Sequence, residues 1–182
     1  FNVATYRRVS FLSREAVTRL ITEPVKPFGM RYDSLALEEV LRLTAGHPFF
    51  TQLLCNILVN HCNDSQRNYV TVQSVRRALD ELIEAGQAHL TYIWETSDRA
   101  ARLSLATLAE LAPRVDQLTA AAVSNRLGDF QVALDPGQIA QTMAGLQSRE
   151  IVREIPGNPV TYLFTAQLYN DWLLRYRSLS KV

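Results

Sequence analysis

Apolar residues recur every three to four positions through most of the chain, the spacing that draws one greasy stripe along a helix. Ser13 caps a helix over 14–22, with Ala16, Val17, Leu20 and Ile21 on one side and Pro24 and Pro27 beyond its end. Asp33 caps a second, whose Leu37, Val40, Leu41 and Leu43 face inward as far as Gly46. A third runs from Pro48 to about Cys62. Its apolar pairs Phe49-Phe50, Leu53-Leu54 and Ile57-Leu58 leave only Gln52, Asn56 and Asn60 for a polar side, which predicts the central helix of this half. Thr71 caps a fourth over 72–85, which presents Val75, Leu79, Leu82 and Ile83 and ends at Gly86. Four short amphipathic helices over 11–85 make a compact bundle.

On either side of that bundle the pattern changes. Residues 2–9 read as an extended strand too short to stand alone, so 1–10 is expected to be a strand or linker belonging to an upstream core. Residues 86–97 contain Leu90, Tyr92, Ile93 and Trp94, too apolar for a free tether, and predict a packed helical connector. From Asp98 onward three helices follow. They carry Ala101, Leu105, Leu108 and Leu111; then Leu118 to Leu127, capped near Asp116 or Thr119; then Ile139, Met143 and Leu146 after the Asp135-Pro136 start. Ile151–Ile155 and Val160–Phe164 alternate around Pro156-Gly157-Asn158-Pro159, a hairpin signal, and a last helix carries Leu168, Trp172, Leu173 and Tyr176. Three helices and a two-stranded wing are the order of a winged helix-turn-helix domain. The predicted class is mainly α: a four-helix bundle followed, over 98–182, by a winged-helix domain with a small β-hairpin.

The junction over 41–55 is the most informative stretch. Gly46 can take the left-handed conformation that ends a helix, and Pro48 suits the first position of the next because its missing N–H would be unpaired there anyway. The result is a tight elbow. At the start of the second helix the backbone N–H groups and the dipole favour an electron-rich neighbour such as a nucleotide, although Gly-x-Pro between helices is also ordinary turn chemistry.

With 182 residues, 47% of them apolar, the chain can build two small cores. No apolar run approaches the roughly 20 residues of a membrane span, and 2–8 lacks the apolar stretch of a signal peptide. A start at Phe1 suggests a piece of a longer protein. Net charge is +1, and only Lys26 and Lys181 are lysines, so neither a polycation nor a supply of phosphate-gripping lysines is present. Cys55 and Cys62 lie seven positions apart on one helix, about 10 Å by rise, and cannot bridge each other. Two reduced, buried thiols fit a cytoplasmic protein, and no metal site is expected. His47, His61 and His89 form no recognisable triad, and neither a Walker A nor a Walker B pattern occurs, so no catalytic residue is assigned and the chain alone should not hydrolyse ATP. On the third helix of the winged half, Gln138, Gln141, Thr142 and Arg149 are the candidate contact residues for DNA or a partner. One arginine is a poor supply for phosphate contacts, which favours a protein-contact role.

Leu43-Thr44-Ala45-Gly46-His47-Pro48-Phe49-Phe50, with Gln52-Leu53-Leu54-Cys55, resembles the Leu-Thr-x-Gly-His-Pro-Tyr/Phe-x-x-Gln-Leu-Leu-Cys segment in the lid of STAND-type and AAA-like P-loop ATPases. Phe11-Leu12-Ser13-Arg14-Glu15 with Leu20-Ile21-Thr22-Glu23-Pro24-Val25 is similar to that lid's opening helix. Leu168 to Leu173 is similar to the closing helix of the winged domain that follows it. The resemblance implies a lid and winged helix from a signal-transduction ATPase whose full-length form binds ATP or ADP with Mg. Gly46, His47 and Pro48 would lie near the base or ribose, and the upstream P-loop core of the same chain would be the first partner. Many such proteins place a phosphate-sensing histidine at the start of the last helix; here the chain reads Phe164-Thr165-Ala166, which leaves Thr165 as the residue in that place. The alternative class is a winged-helix DNA-binding regulator with a helical dimerisation or effector half. A third is a pure protein-interaction scaffold.

Overall fold

The computed structural model describes residues 11–181, so the strand expected over 2–9 lies outside the described residues. These residues are mainly helical, with two small two-stranded sheets. They divide into two compact units, one ending at Leu82 and the other beginning at Ile83.

The first unit holds α1 (Arg14–Thr22), α2 (Ser34–Thr44), α3 (Pro48–Asp64) and α4 (Val72–Arg77). Ser13, Asp33 and Thr71 each accept a backbone N–H at the start of a helix, satisfying donors that would otherwise lack a partner. Val17, Ile21, Val40, Leu43, Phe50, Leu54, Leu58 and Val75 form the core. Two features escaped the periodicity. Strands β1 (Arg31–Tyr32) and β2 (Tyr69–Val70) pair in parallel, too briefly to leave an alternating pattern. The fourth predicted helix is also two, because Ala78 interrupts it. The Ala78 N–H is shared between the carbonyls of Ser74 and Val75, one tight turn before α5 (Leu79–Ala85) resumes with Leu82 N–H on Ala78 O. Both Ala78 and Leu82 are thereby buried.

The boundary between the units falls inside α5. The helix ends at Gly86 as expected, and Gly86, at φ −86°, is also the residue that opens α6 (Gln87–Glu95). Leu90 and Trp94 of α6 are buried, and α6 belongs to the second unit. There follow α7 (Arg99–Leu111), α8 (Ala120–Gly128), α9 (Pro136–Ser148), the antiparallel pair β3 (Val152–Ile155) and β4 (Thr161–Phe164), and α10 (Gln167–Tyr176). Asp98, Thr119 and Asp135 cap α7, α8 and α9, so of the two caps proposed for α8 it is Thr119 that acts. Helix α7 is buried along most of its length and packs against α8, α9 and α10. Among the described residues no helix is long and apolar enough to cross a membrane.

Candidate functional site

The elbow starts one residue earlier than the sequence indicates. Ala45, not Gly46, is the C-cap of α2, at φ +50°, and Gly46 follows at φ +81°. Two consecutive left-handed residues reverse the chain within one turn, and only at Gly46 does the packing forbid a side chain. A Cβ there would lie 2.6 Å from the carbonyl oxygen of Leu12. The Gly46 carbonyl in turn accepts the Leu12 N–H at 2.9 Å. Gly46 is buried, and a backbone hydrogen bond fastens the segment leading into α1 to the elbow. Thr44 supports the bend: its hydroxyl donates to Val40 O, accepts the Gly46 N–H and meets the Thr51 hydroxyl at 3.1 Å.

His47 is the N-cap of α3, but its side chain makes no capping bond. Its imidazole is half-buried between Phe11, edge-on at 5.4 Å, and Phe50 at 4.9 Å. Pro48 is half-buried at the first position of α3, and Phe49 beside it is 44% exposed. The elbow therefore combines a buried backbone hinge with a half-open aromatic and proline surface.

Several other titratable groups of this unit are engaged by neighbours within it. Glu39 is only 6% exposed and receives Arg42 through two bonds, at 2.8 and 3.0 Å, and Arg76 at 3.1 Å. The bond from Arg42 and then that from Arg76 outweigh the penalty of burial and hold the Glu39 carboxyl below the usual range. Both cysteines are free; Cys62 is buried, but Cys55 is only half-buried, a correction to the expectation of two buried thiols. Desolvation pushes the Cys55 thiol up to about 11, against a smaller downward pull from the Tyr32 hydroxyl, so it stays protonated at neutral pH. His61 meets Glu81 at 2.7 Å across α3 and α5. Among the described residues no cluster of His, Cys, Asp and Glu can hold a metal ion.

In the second unit, Gln138, Gln141, Thr142 and Arg149 do come together. With Thr96 and Asp98 they line an open groove of about 570 Å³ beside α9. Arg149 is committed within it: its guanidinium donates to Ser97 Oγ at 2.9 Å, Thr96 Oγ1 at 2.7 Å and Ile93 O at 3.1 Å, closing the last turn of α6. Arg102 donates to Trp94 O and Glu95 O of the same turn. Thr165 lies between β4 and α10 with its N–H on Ile151 O, and Ala166, the N-cap of α10, has no capping side chain. Gly46, His47 and Pro48 belong to the first unit and Thr165 to the second.

Sequence reasoning had no means of finding Leu12 as the partner of the elbow, or Thr96 and Ser97 as the acceptors of Arg149. These are contacts across 34 to 53 residues of chain, and no local pattern encodes them. No known protein family matches the chain, and neither a curated protein nor a solved structure is similar to it.

Proposed function

We propose that this chain is the regulatory lid and winged-helix module of a nucleotide-switched signalling ATPase, coupling the ATP or ADP state to domain rearrangement or partner binding. The single observation that carries the reading is the backbone lock between Leu12 and Gly46. A segment arriving from an upstream P-loop core would be fastened there to the elbow just ahead of α3, so a displacement of that segment would be passed toward the helix through a backbone bond. His47 and Pro48, half-buried next to the lock, supply a ring nitrogen and an apolar face suited to a purine nucleotide. Thr165 is the residue in the phosphate-sensing place of the resemblance.

The winged-helix reading of α7 to α10 is supported by the order of helices and hairpin and by one further bond. The Tyr162 N–H donates to Leu118 O at 2.8 Å, tying the segment ahead of α8 to the hairpin as a third strand would be tied. Protein contact is favoured over DNA because Arg149 is spent on α6 and the remaining candidate side chains on α9 are uncharged. ATP hydrolysis and Mg binding are assigned to the upstream core, not to these residues.

The test is nucleotide affinity in the full-length polypeptide, measured with a fluorescent ADP analogue. His47→Ala and Pro48→Gly should each weaken binding by about five-fold, the worth of roughly 1 kcal/mol. Affinity unchanged in both variants would remove the elbow from the nucleotide site.

A further inference from the structure

Among the described residues the hairpin leaves part of one backbone edge unpaired. The Tyr162 N–H points to Leu118 and therefore away from β3, so Tyr162 and Glu154 form a non-hydrogen-bonded pair. The Thr165 N–H on Ile151 O fixes the same alternation from the other end. Arg153–Leu163 and Ile155–Thr161 are then the bonded pairs, and the N–H and C=O of Val152 and Glu154 point outward from the hairpin. Val152 is buried, whereas Glu154 is exposed, and no hydrogen bond reaches the Glu154 backbone among the described residues. Beside this edge, Ile155, Val160 and Leu163 are 38–39% exposed, and Arg153 lies on the face of Ile155 and Leu163.

We propose that the outer edge of β3 binds an extended segment of a partner protein as an added antiparallel strand, with a basic side chain opposite Glu154. Alternation fixes the rest of its chemistry. An apolar residue falls opposite Ile155 and an acidic one opposite Arg153, so the segment reads apolar, basic, acidic in the direction antiparallel to β3. A second copy of this chain does not fit. Either two-fold register that uses these groups sets Glu154 against Glu154 or Arg153 against Arg153, and directly opposed like charges are destabilising. The strand's length of four residues limits the contact to a short segment and guards against open-ended sheet growth. The inference rests on the hairpin alone and is independent of the nucleotide reading.

The probe is a fluorescein-labelled eight-residue peptide centred on Val-Lys-Glu, titrated against the 182-residue protein and followed by anisotropy. Saturable binding is expected. Methylating the backbone nitrogen of the central lysine should weaken it about five-fold, as should Glu154→Pro, since each removes one edge hydrogen bond worth roughly 1 kcal/mol. Proline is tolerated at this position because β4 does not use the Glu154 N–H. Glu154→Lys should transfer the preference to a Val-Glu-Glu peptide. Absence of saturable binding, equal binding by the N-methylated peptide, or protection of the Glu154 amide through concentration-dependent dimerisation would overturn the proposal; the peptide comparison holds even where Glu154→Pro fails to fold.

Discussion

A methyl group on Gly46 would meet the Leu12 carbonyl at 2.6 Å while its own backbone stayed at φ +81°, so two penalties fall on one atom. Gly46→Ala is expected to cost about 2 kcal/mol or more, read from urea denaturation, whereas Gly29→Ala, also at positive φ but with open space around it, should cost less. Equal losses at the two glycines would show that the lock to Leu12 carries no weight. Glu39 gives a second residue-level test. Its folded carboxyl is held below the ordinary range, so the stabilisation is fully present at neutral pH and is lost as pH falls from the ordinary carboxylate range through the lower folded value. Glu39→Gln should therefore be less stable than the parent at pH 7, with the gap closing toward pH 3; a gap independent of pH would assign the effect to packing instead.

Among the elements, the helices were legible because their signals are local. Six starts are marked by a side chain that caps the helix, and the apolar stripes run on between them. What was illegible is set by packing at a distance: the turn at Ala78, the parallel pairing of β1 with β2, and the capture of the last turn of α6 by Arg149. Helix α9 shows how the two scales meet. Asp135 and Gln138 cap each other's backbone, and Asp135→Ala should cost about 1 kcal/mol of stability. Arg149→Ala should cost a similar amount by freeing the end of α6 and, because that arginine is already occupied, should leave any duplex-DNA affinity unchanged. A salt-dependent gel shift that disappears on Arg149→Glu while the fold is retained would favour the DNA-binding alternative.

At the scale of the whole molecule, the elbow was legible as a bend because Gly46, His47 and Pro48 are adjacent in sequence, but its buried and exposed sides were not. The backbone of Gly46 faces inward onto Leu12, and only His47 and Pro48 keep a half-open surface. Under the proposed function Gly46 would transmit the displacement while His47 and Pro48 would meet the nucleotide, a division the sequence alone did not contain. The groove beside α9 likewise gathers Gln138, Gln141 and Thr142 from one helix face, but its opposite wall, Thr96 and Asp98, came only from tertiary structure. The central claim is that nucleotide acts on the elbow and through it on the segment leading into α1. Amide hydrogen exchange in the full-length polypeptide, with and without saturating ADP, tests it most directly. Exchange at Leu12, His47, Phe49 and Phe50 should slow together when ADP is bound. Exchange at these four amides unaltered by a nucleotide that demonstrably binds would contradict the account.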